Sequence, residues 1–291
     1  MNYVVYQAYG KIEILHECLY SVATLWKYAK PENLTIVIFT DQPDWFTQYI
    51  TDTQGIILIQ ITPEQIQQWR GEINFVHRVK IEILLQASVI LSGNILYLDT
   101  DTFFLSSPEP LFSIIGSGGK IMHLKEDILS KSKLPLNKKI FRYVRGKTFM
   151  LSSRTISIDG HLGMWNAGAL GFHTQEVDLL KEILQLTDLL YRGYAKHTME
   201  QLAFSVIFQL SGKISAAEDI VFHYWDFKQF RNTLALFWAE NHSLEWEAVC
   251  VLSQKIKPEA KIRQEREFKQ KPYWLRKILQ WSGKGSSFRF R

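Results

Sequence analysis

Apolar positions near the start of the chain fall into short, nearly unbroken runs, each followed by a stretch with helical spacing. Residues 3–8, Leu34–Thr40, 56–61 and 95–99 are such runs and read as strands. Between them, residues 11–29 place Ile14, Leu15, Leu19, Val22 and Leu25 on one helical face, and residues 75–91 form a longer helical stretch. Thr62-Pro63-Glu64 and Ser107-Pro108-Glu109-Pro110 each read as the start of a short helix. Strands that alternate with helices predict an α/β fold, a mainly parallel sheet flanked by helices. In such sheets ligands bind beyond the carboxyl ends of the strands. Tyr6, Asp41, Asp99, Thr100 and Asp101 fall at those ends and are candidates for lining a nucleotide cleft.

The strand Asn94-Ile95-Leu96-Tyr97-Leu98 runs into Asp99-Thr100-Asp101. Residues i and i+2 of an extended segment project to the same side, so the two carboxylates point together into the cleft. Held that close they repel, unless a cation lies between them or one stays protonated. A hard divalent ion with oxygen ligands, Mg²⁺ or Mn²⁺, suits the pair and keeps positions open for phosphate oxygens. Taken alone, an Asp-x-Asp is as consistent with a pair that caps a turn.

Five segments in order resemble the GT-A glycosyltransferases, in particular the branch of glycogenin and the bacterial lipopolysaccharide galactosyl- and glucosyltransferases. They are Arg78-Val79-Lys80, Leu96-Tyr97-Leu98-Asp99-Thr100-Asp101 with Pro110-Leu111-Phe112, Trp165-Asn166-Ala167-Gly168-Ala169-Leu170, Glu200-Gln201, and His223-Tyr224-Trp225. The resemblance implies a GT-A-like (nucleotide-diphospho-sugar transferase) fold and transfer of a hexose from a nucleoside diphosphate sugar, a UDP-sugar above others, with retention of configuration. It implies a metal (Mn²⁺ or Mg²⁺) on Asp99, Asp101 and His223. Arg78 and Lys80 would add positive charge near the diphosphate, while Asn166, Ala167, Gly168, Glu200 and Gln201 would meet the donor sugar. Two departures stand out. Glu200 replaces the family's aspartate, and Asp226-Phe227-Lys228-Gln229-Phe230 replaces its glycine and Lys-Pro-Trp element, leaving Lys228 as the candidate substitute. Structural readings of the same residues stay open: Glu200 also suits the first turn of a helix capped by Thr198, and Asn166–Gly168 also suits a small-residue strand packed under a helix.

Composition narrows the alternatives. No Gly-x-Gly-x-x-Gly follows the first strand and there is no Walker-type loop, which disfavours nicotinamide or ATP binding through those loops. Ala8-Tyr9-Gly10-Lys11 also lacks the glycine-rich loop of a sugar-1-phosphate nucleotidyltransferase, the nearest rival; a non-catalytic scaffold with the same fold is the other. Cys18 and Cys250, far apart in apolar surroundings, read as buried thiols. The first residues lack a signal-peptide pattern and no run of about 18 apolar residues occurs, so a cytoplasmic protein is expected, with peripheral contact to the inner membrane face as an option.

Charge is uneven. The net +5 divides into +9 over residues 255–291 and −4 over the rest. That division, with the change in composition, suggests a catalytic domain over residues 1–254 (donor half about 1–115, acceptor half about 116–254) and a basic aromatic tail over 255–291. In the tail, Trp274, Leu275, Ile278 and Trp281 share a helical face flanked by Lys271, Arg276 and Lys277, which suits an anionic membrane surface as well as packing on the domain. Without a helix-turn-helix, zinc or RNA-recognition signature, a nucleic-acid partner is not expected. Residues 125–160, rich in Lys and Arg, read as an irregular solvated excursion or a lid. The acceptor expected is a glycan or glycolipid hydroxyl.

Overall fold

The computed structural model describes residues 1–28, 34–50 and 55–281. The chain opens with β1 (Asn2–Gln7), α1 (Ile12–Trp26), β2 (Leu34–Thr40), α2 (Pro43–Thr47), β3 (Ile56–Gln60), α3 (Pro63–Trp69), α4 (Arg78–Ile90) and β4 (Asn94–Leu98). Then come β5 (Thr102–Phe104), α5 (Glu109–Gly116), β6 (Lys120–Met122), β7 (Lys125–Ile128), α6 (Pro135–Val144), β8 (Thr148–Met150), β9 (Thr155–Ser157), β10 (Gly163–Trp165) and β11 (Ala169–His173). The remainder is α7 (Val177–Gly193), α8 (Met199–Ser211), β12 (Ile214–Ala216), β13 (Val221–His223), α9 (Phe230–Asn241), α10 (Trp246–Ser253), α11 (Pro258–Gln270) and α12 (Tyr273–Trp281).

Among the described residues, seven strands form the central sheet in the order β12-β6-β11-β4-β1-β2-β3. Pairing is parallel from β4 through β1 and β2 to β3, and again between β12 and β6; β11 alone runs antiparallel to its neighbours. The apolar runs explain the placement. Strands buried on both faces need apolar side chains at successive positions. In β1, Tyr3 and Val5 join the core under α4, α7 and α8, while Val4 and Tyr6 join the core under α1, α9 and α10. β4 divides likewise, Ile95 and Tyr97 to one side and Leu96 and Leu98 to the other. The antiparallel β11 brings its first residues to the carboxyl end of β4, where Ala169 pairs with Leu98 and Asp99 N–H donates to Gly168 O at 2.9 Å.

The expected strands and helices are present with shifted ends. The helix read over residues 11–29 runs Ile12–Trp26, and residue 29 lies outside the described residues. Thr62 starts α3 with a capping box, its Oγ1 accepting from Gln65 N–H while the Gln65 side chain accepts from Thr62 N–H. The helix read from residue 75 starts at Arg78, because Gly71 (φ 63°) and Asn74 (φ 47°) turn the chain through left-handed conformations just before it.

The irregular excursion expected over residues 125–160 is instead folded. β7 pairs with β10 and β8 with β9. On α6, Ile140 and Val144 are fully buried in the core shared with α7 and α8, and Phe149, Leu151, Ile156 and Ile158 nearby are buried in the same core. The charged residues carried the sequence reading, but they ride on outward faces while every third or fourth apolar residue points inward. The C-terminal segment also meets the body: Ile262 on α11 is fully buried in the core on the α1 side. Among the described residues no helix is long and apolar enough to cross a membrane.

Replacing Ile140 by Ala removes a buried side chain from a packed layer, and the unfolding free energy falls by about 2–4 kcal/mol. Chemical denaturation measures it; a change within about 0.5 kcal/mol, the usual effect of a surface substitution, would contradict the packed α6.

Candidate active site

At the carboxyl end of β4 the chain turns sharply, so Asp99 and Asp101 leave the sheet edge together. Asp99 Oδ1 accepts the Tyr97 hydroxyl at 2.9 Å, and Oδ2 accepts Lys80 Nζ at 3.3 Å. Lys80 extends from the first turn of α4 and is almost wholly buried. Its ammonium also donates to Ala167 O at 3.1 Å and lies 3.2 Å from Glu200 Oε1, a contact without hydrogen-bond alignment. Burial opposes a charged lysine, but Asp99 and Glu200 outweigh it and hold the ammonium protonated well above its ordinary range. Glu200 shows the opposite balance. Burial, with Asp99 adding repulsion, prevails over the attraction of Lys80 and raises its carboxyl to about 7.

Asp101 takes its partners from β13 and from the turn before α9. Its Oδ1 lies 3.0 Å from His223 Nε2, and its Oδ2 accepts Lys228 Nζ at 2.6 Å. Burial would raise this carboxyl, but His223 and Lys228 together hold it well below the usual carboxylate range. Asn166 fixes the histidine. Its Oδ1 accepts Gly168 N–H at 2.9 Å, and so is an acceptor for His223 Nδ1 at the same distance. Nδ1 therefore donates, which orients the ring and turns Nε2 toward Asp101; Nε2 would be the nitrogen that coordinates a cation in place of its contact with Asp101 Oδ1. Ligand atoms of Asp99, Asp101 and His223 lie within 4.8 Å of one another. Two hard carboxylates and an imidazole fixed through its other nitrogen make a donor set that fits a divalent cation, which would take the place that Lys228 holds beside Asp101. Gly168 is required here: a Cβ at this position would stand 2.1 Å from His223 Nδ1.

Two hollows meet at this cluster. The larger, about 370 Å³, is bounded by Glu126, Asn166, Glu200, Gln201, Trp225 and Lys228 among others. The smaller, about 260 Å³, lies toward β1 and α1 and is bounded by Gln7, Tyr9, Thr100 and Arg231. His77, Lys80, Asp99 and Asp101 border both. Burial and then Lys80 push the His77 imidazole down to about 4, so it is neutral near pH 7. Glu126 spans the wall of the larger hollow, accepting Asn166 Nδ2 at 3.1 Å on one oxygen and Gln201 Nε2 at 2.9 Å on the other.

Of the residues singled out from sequence, Lys80, Asp99, Asp101, Asn166, Ala167, Gly168, Glu200, Gln201, His223 and Lys228 border the larger hollow, and Thr100 the smaller. Three others lie elsewhere. Tyr6 is fully buried on the α1 side, its hydroxyl on Ser21 Oγ at 2.9 Å. Asp41 holds the loop after β1, its carboxylate accepting Gly10 N–H. Arg78 ties α4 to α7, donating to Asp188 at 2.9 Å and to Glu82 at 2.6 Å. Thr198 begins α8 without capping it; the residue borders the larger hollow, and its hydroxyl is buried with no hydrogen-bond partner. Sequence reasoning missed Tyr9, His77, Glu126, His197, Trp225 and Arg231. None of these six carried a sequence signal of its own.

No family model and no curated protein matches the chain. Among solved structures, the glycosyltransferase GlyE of Streptococcus pneumoniae TIGR4 is similar with a TM-score of 0.51 at 12% identity, over 86% of this chain and 62% of that one. Its apo form gives 0.51 at 13%, over 88% and 64%. The galactosyltransferase LgtC, in complex with donor and acceptor sugar analogues, gives 0.49 at 12% identity over 74% and 73%. The backbone is thus that of the GT-A glycosyltransferases, the fold expected from the sequence resemblance.

Two outcomes follow from this geometry. Gly168→Ala drives His223 from its place and weakens Mn²⁺ binding by about 10–100-fold, read by calorimetry; a folded variant with unchanged affinity would contradict the site. Glu200, with its folded pKa of about 7 above the unfolded value, binds more protons native than unfolded in between. Stability therefore falls as pH rises through that window. In chelator, Glu200→Gln removes this slope between about pH 5 and 8; denaturation curves with the same slope in both proteins would refute the assignment.

Proposed function

We propose that this chain is a metal-dependent glycosyltransferase that moves a hexose from a nucleoside diphosphate sugar, a UDP-sugar above others, to a glycan or glycolipid hydroxyl with retention of configuration. The observation that carries the reading is the convergence of Asp99, Asp101 and His223 with Lys80 and Lys228, at the carboxyl end of β4, between two hollows of a GT-A fold. The smaller hollow suits the nucleoside and the larger the sugar. The donor half of the chain, about residues 1–115, supplies most of the first, and the acceptor half, about 116–254, most of the second.

A bound Mn²⁺ or Mg²⁺ would supply Lewis-acid stabilisation of the charge that builds on the departing nucleoside diphosphate. Lys228, half-exposed on its long side chain, can turn from Asp101 to the diphosphate oxygens once that carboxylate has another cation. Lys80 keeps Asp99 oriented and remains charged throughout. Gln201 Nε2 and Asn166 Nδ2, both now held by Glu126, can donate instead to vicinal hydroxyls of the donor sugar while Asn166 Oδ1 keeps His223 in place. Gln201 and Glu200 stand nearest the role of catalytic groups beside the anomeric carbon. The basic tail supports docking at an anionic membrane surface on the cytoplasmic side, since Trp274, Ile278 and Trp281 on α12 are exposed beside its lysines and arginines.

Titration of a panel of nucleoside diphosphate sugars with Mn²⁺, and again with chelator, tests the reading. One donor binding only with metal is expected, with Asp101→Ala losing at least about 100-fold in affinity while its thermal unfolding stays cooperative. Unchanged donor affinity in that variant would remove the metal site. Transfer of a nucleotidyl group instead of a sugar would favour the sugar-1-phosphate nucleotidyltransferase reading, and no donor binding would favour a scaffold with the same fold.

A further inference from the structure

Trp225 follows His223-Tyr224 at the end of β13. Tyr224 turns into the core, so the next side chain turns outward, to the larger hollow. Trp225 is 39% exposed, and among the described residues bordering that hollow it is the only large apolar side chain. The others are carboxylates, amides, imidazoles, lysines and small residues.

The ring is held in a built mount. Arg266, from α11, lies over it with the guanidinium carbon 4.6 Å from a ring centroid. The guanidinium is in turn fixed: Nη2 donates to His223 O and to Asp226 Oδ1, each at 2.7 Å, and Nε donates to Asp226 Oδ1 at 3.1 Å. His223 meets the indole at 4.9 Å between centroids and His123 at 6.4 Å. An aromatic side chain clamped in this way pays little further ordering entropy when a ligand covers its remaining surface.

A pyranose is amphipathic. Its hydroxyls project around the rim, while axial C–H groups give one face a positively polarised apolar surface that complements the negative face of an aromatic ring. The polar groups of the hollow match hydroxyls, and Trp225 is the surface that matches the C–H face. Trp225 borders only the larger hollow and not the smaller one assigned to the nucleoside. Asn166, Glu200 and Gln201 already provide the donor sugar's polar wall. The geometry points to Trp225 as the stacking platform for the acceptor's sugar ring, with Arg266 as the residue that positions it. This rests on the glycosyltransfer reading of the cleft.

The probes are UDP with Mn²⁺, to fill the donor side, and methyl β-glucoside and methyl β-galactoside as minimal acceptor rings. Saturation-transfer NMR on the wild-type protein with UDP and Mn²⁺ bound is expected to show strongest transfer to the ring C–H protons of one face of at least one glycoside. Trp225→Ala weakens that glycoside about tenfold, Trp225→Phe retains most of the binding, and UDP affinity stays within about twofold in both. Three results would overturn the platform: no transfer to either glycoside in the UDP-bound wild type, equal transfer in Trp225→Ala, or loss of UDP and glycoside binding in parallel in that variant. Absence of metal-dependent UDP binding to the wild type is a separate result and overturns the glycosyltransfer reading beneath it.

Discussion

The buried ammonium of Lys80 is the point on which the cleft depends. It contacts Asp99 from the end of β4, Ala167 O from the turn before β11, and Glu200 from α8, while standing on α4. Four segments distant in sequence are thereby fixed around one charge. A lone buried lysine would lose its proton, and lone buried carboxylates would gain one. Here each makes the other tolerable, though not symmetrically. Lys80 has enough negative charge around it to stay protonated, whereas Glu200 sits poised near neutrality.

The second aspartate is held by a different mechanism. Asp101 is neutralised by groups that arrive from β13 and from the turn before α9, and its histidine partner is fixed through Asn166 rather than through a second carboxylate. The chain thus separates its two acidic groups onto two supports, one deep and rigid, the other ending in a half-exposed lysine. Only the second can rearrange without disturbing the core. That asymmetry suits a site in which one side anchors and the other exchanges cations with a charged ligand. α11 extends the second support, since Arg266 bonds the His223 carbonyl and covers Trp225.

Much of this was legible in the sequence because it is local. Apolar runs buried on both faces announce parallel strands, and an Asp-x-Asp at the end of one places its carboxylates at the ligand-binding edge. Asn166, Gly168, His223 and Lys228 were legible only through their likeness to a known order of motifs. The misplacements have simple geometry behind them. Arg78 and Lys80, two positions apart on a helix, lie roughly 200° apart around its axis, so only one can enter the cleft. Tyr6 alternates to the α1 side of β1, leaving Gln7 and Tyr9 at the smaller hollow. Asp41 is at the right edge of the sheet, but its carboxylate is used by a backbone N–H.

By itself, then, the sequence determined the element types, the parallel half of the sheet and the paired aspartates, since each depends on neighbours within a few residues. It left undecided whether the lysine-rich stretch after β6 would pack, because charge is conspicuous along a chain while burial depends on partners such as α7 and α8 that come much later. The tertiary structure alone decided which cations neutralise which carboxylate, that His223 Nδ1 donates to Asn166, and that Glu126 and Trp225 face the same hollow. Those outcomes depend on distances between segments as much as 127 residues apart, such as Asp101 and Lys228, and the closing of those distances is the act of folding itself.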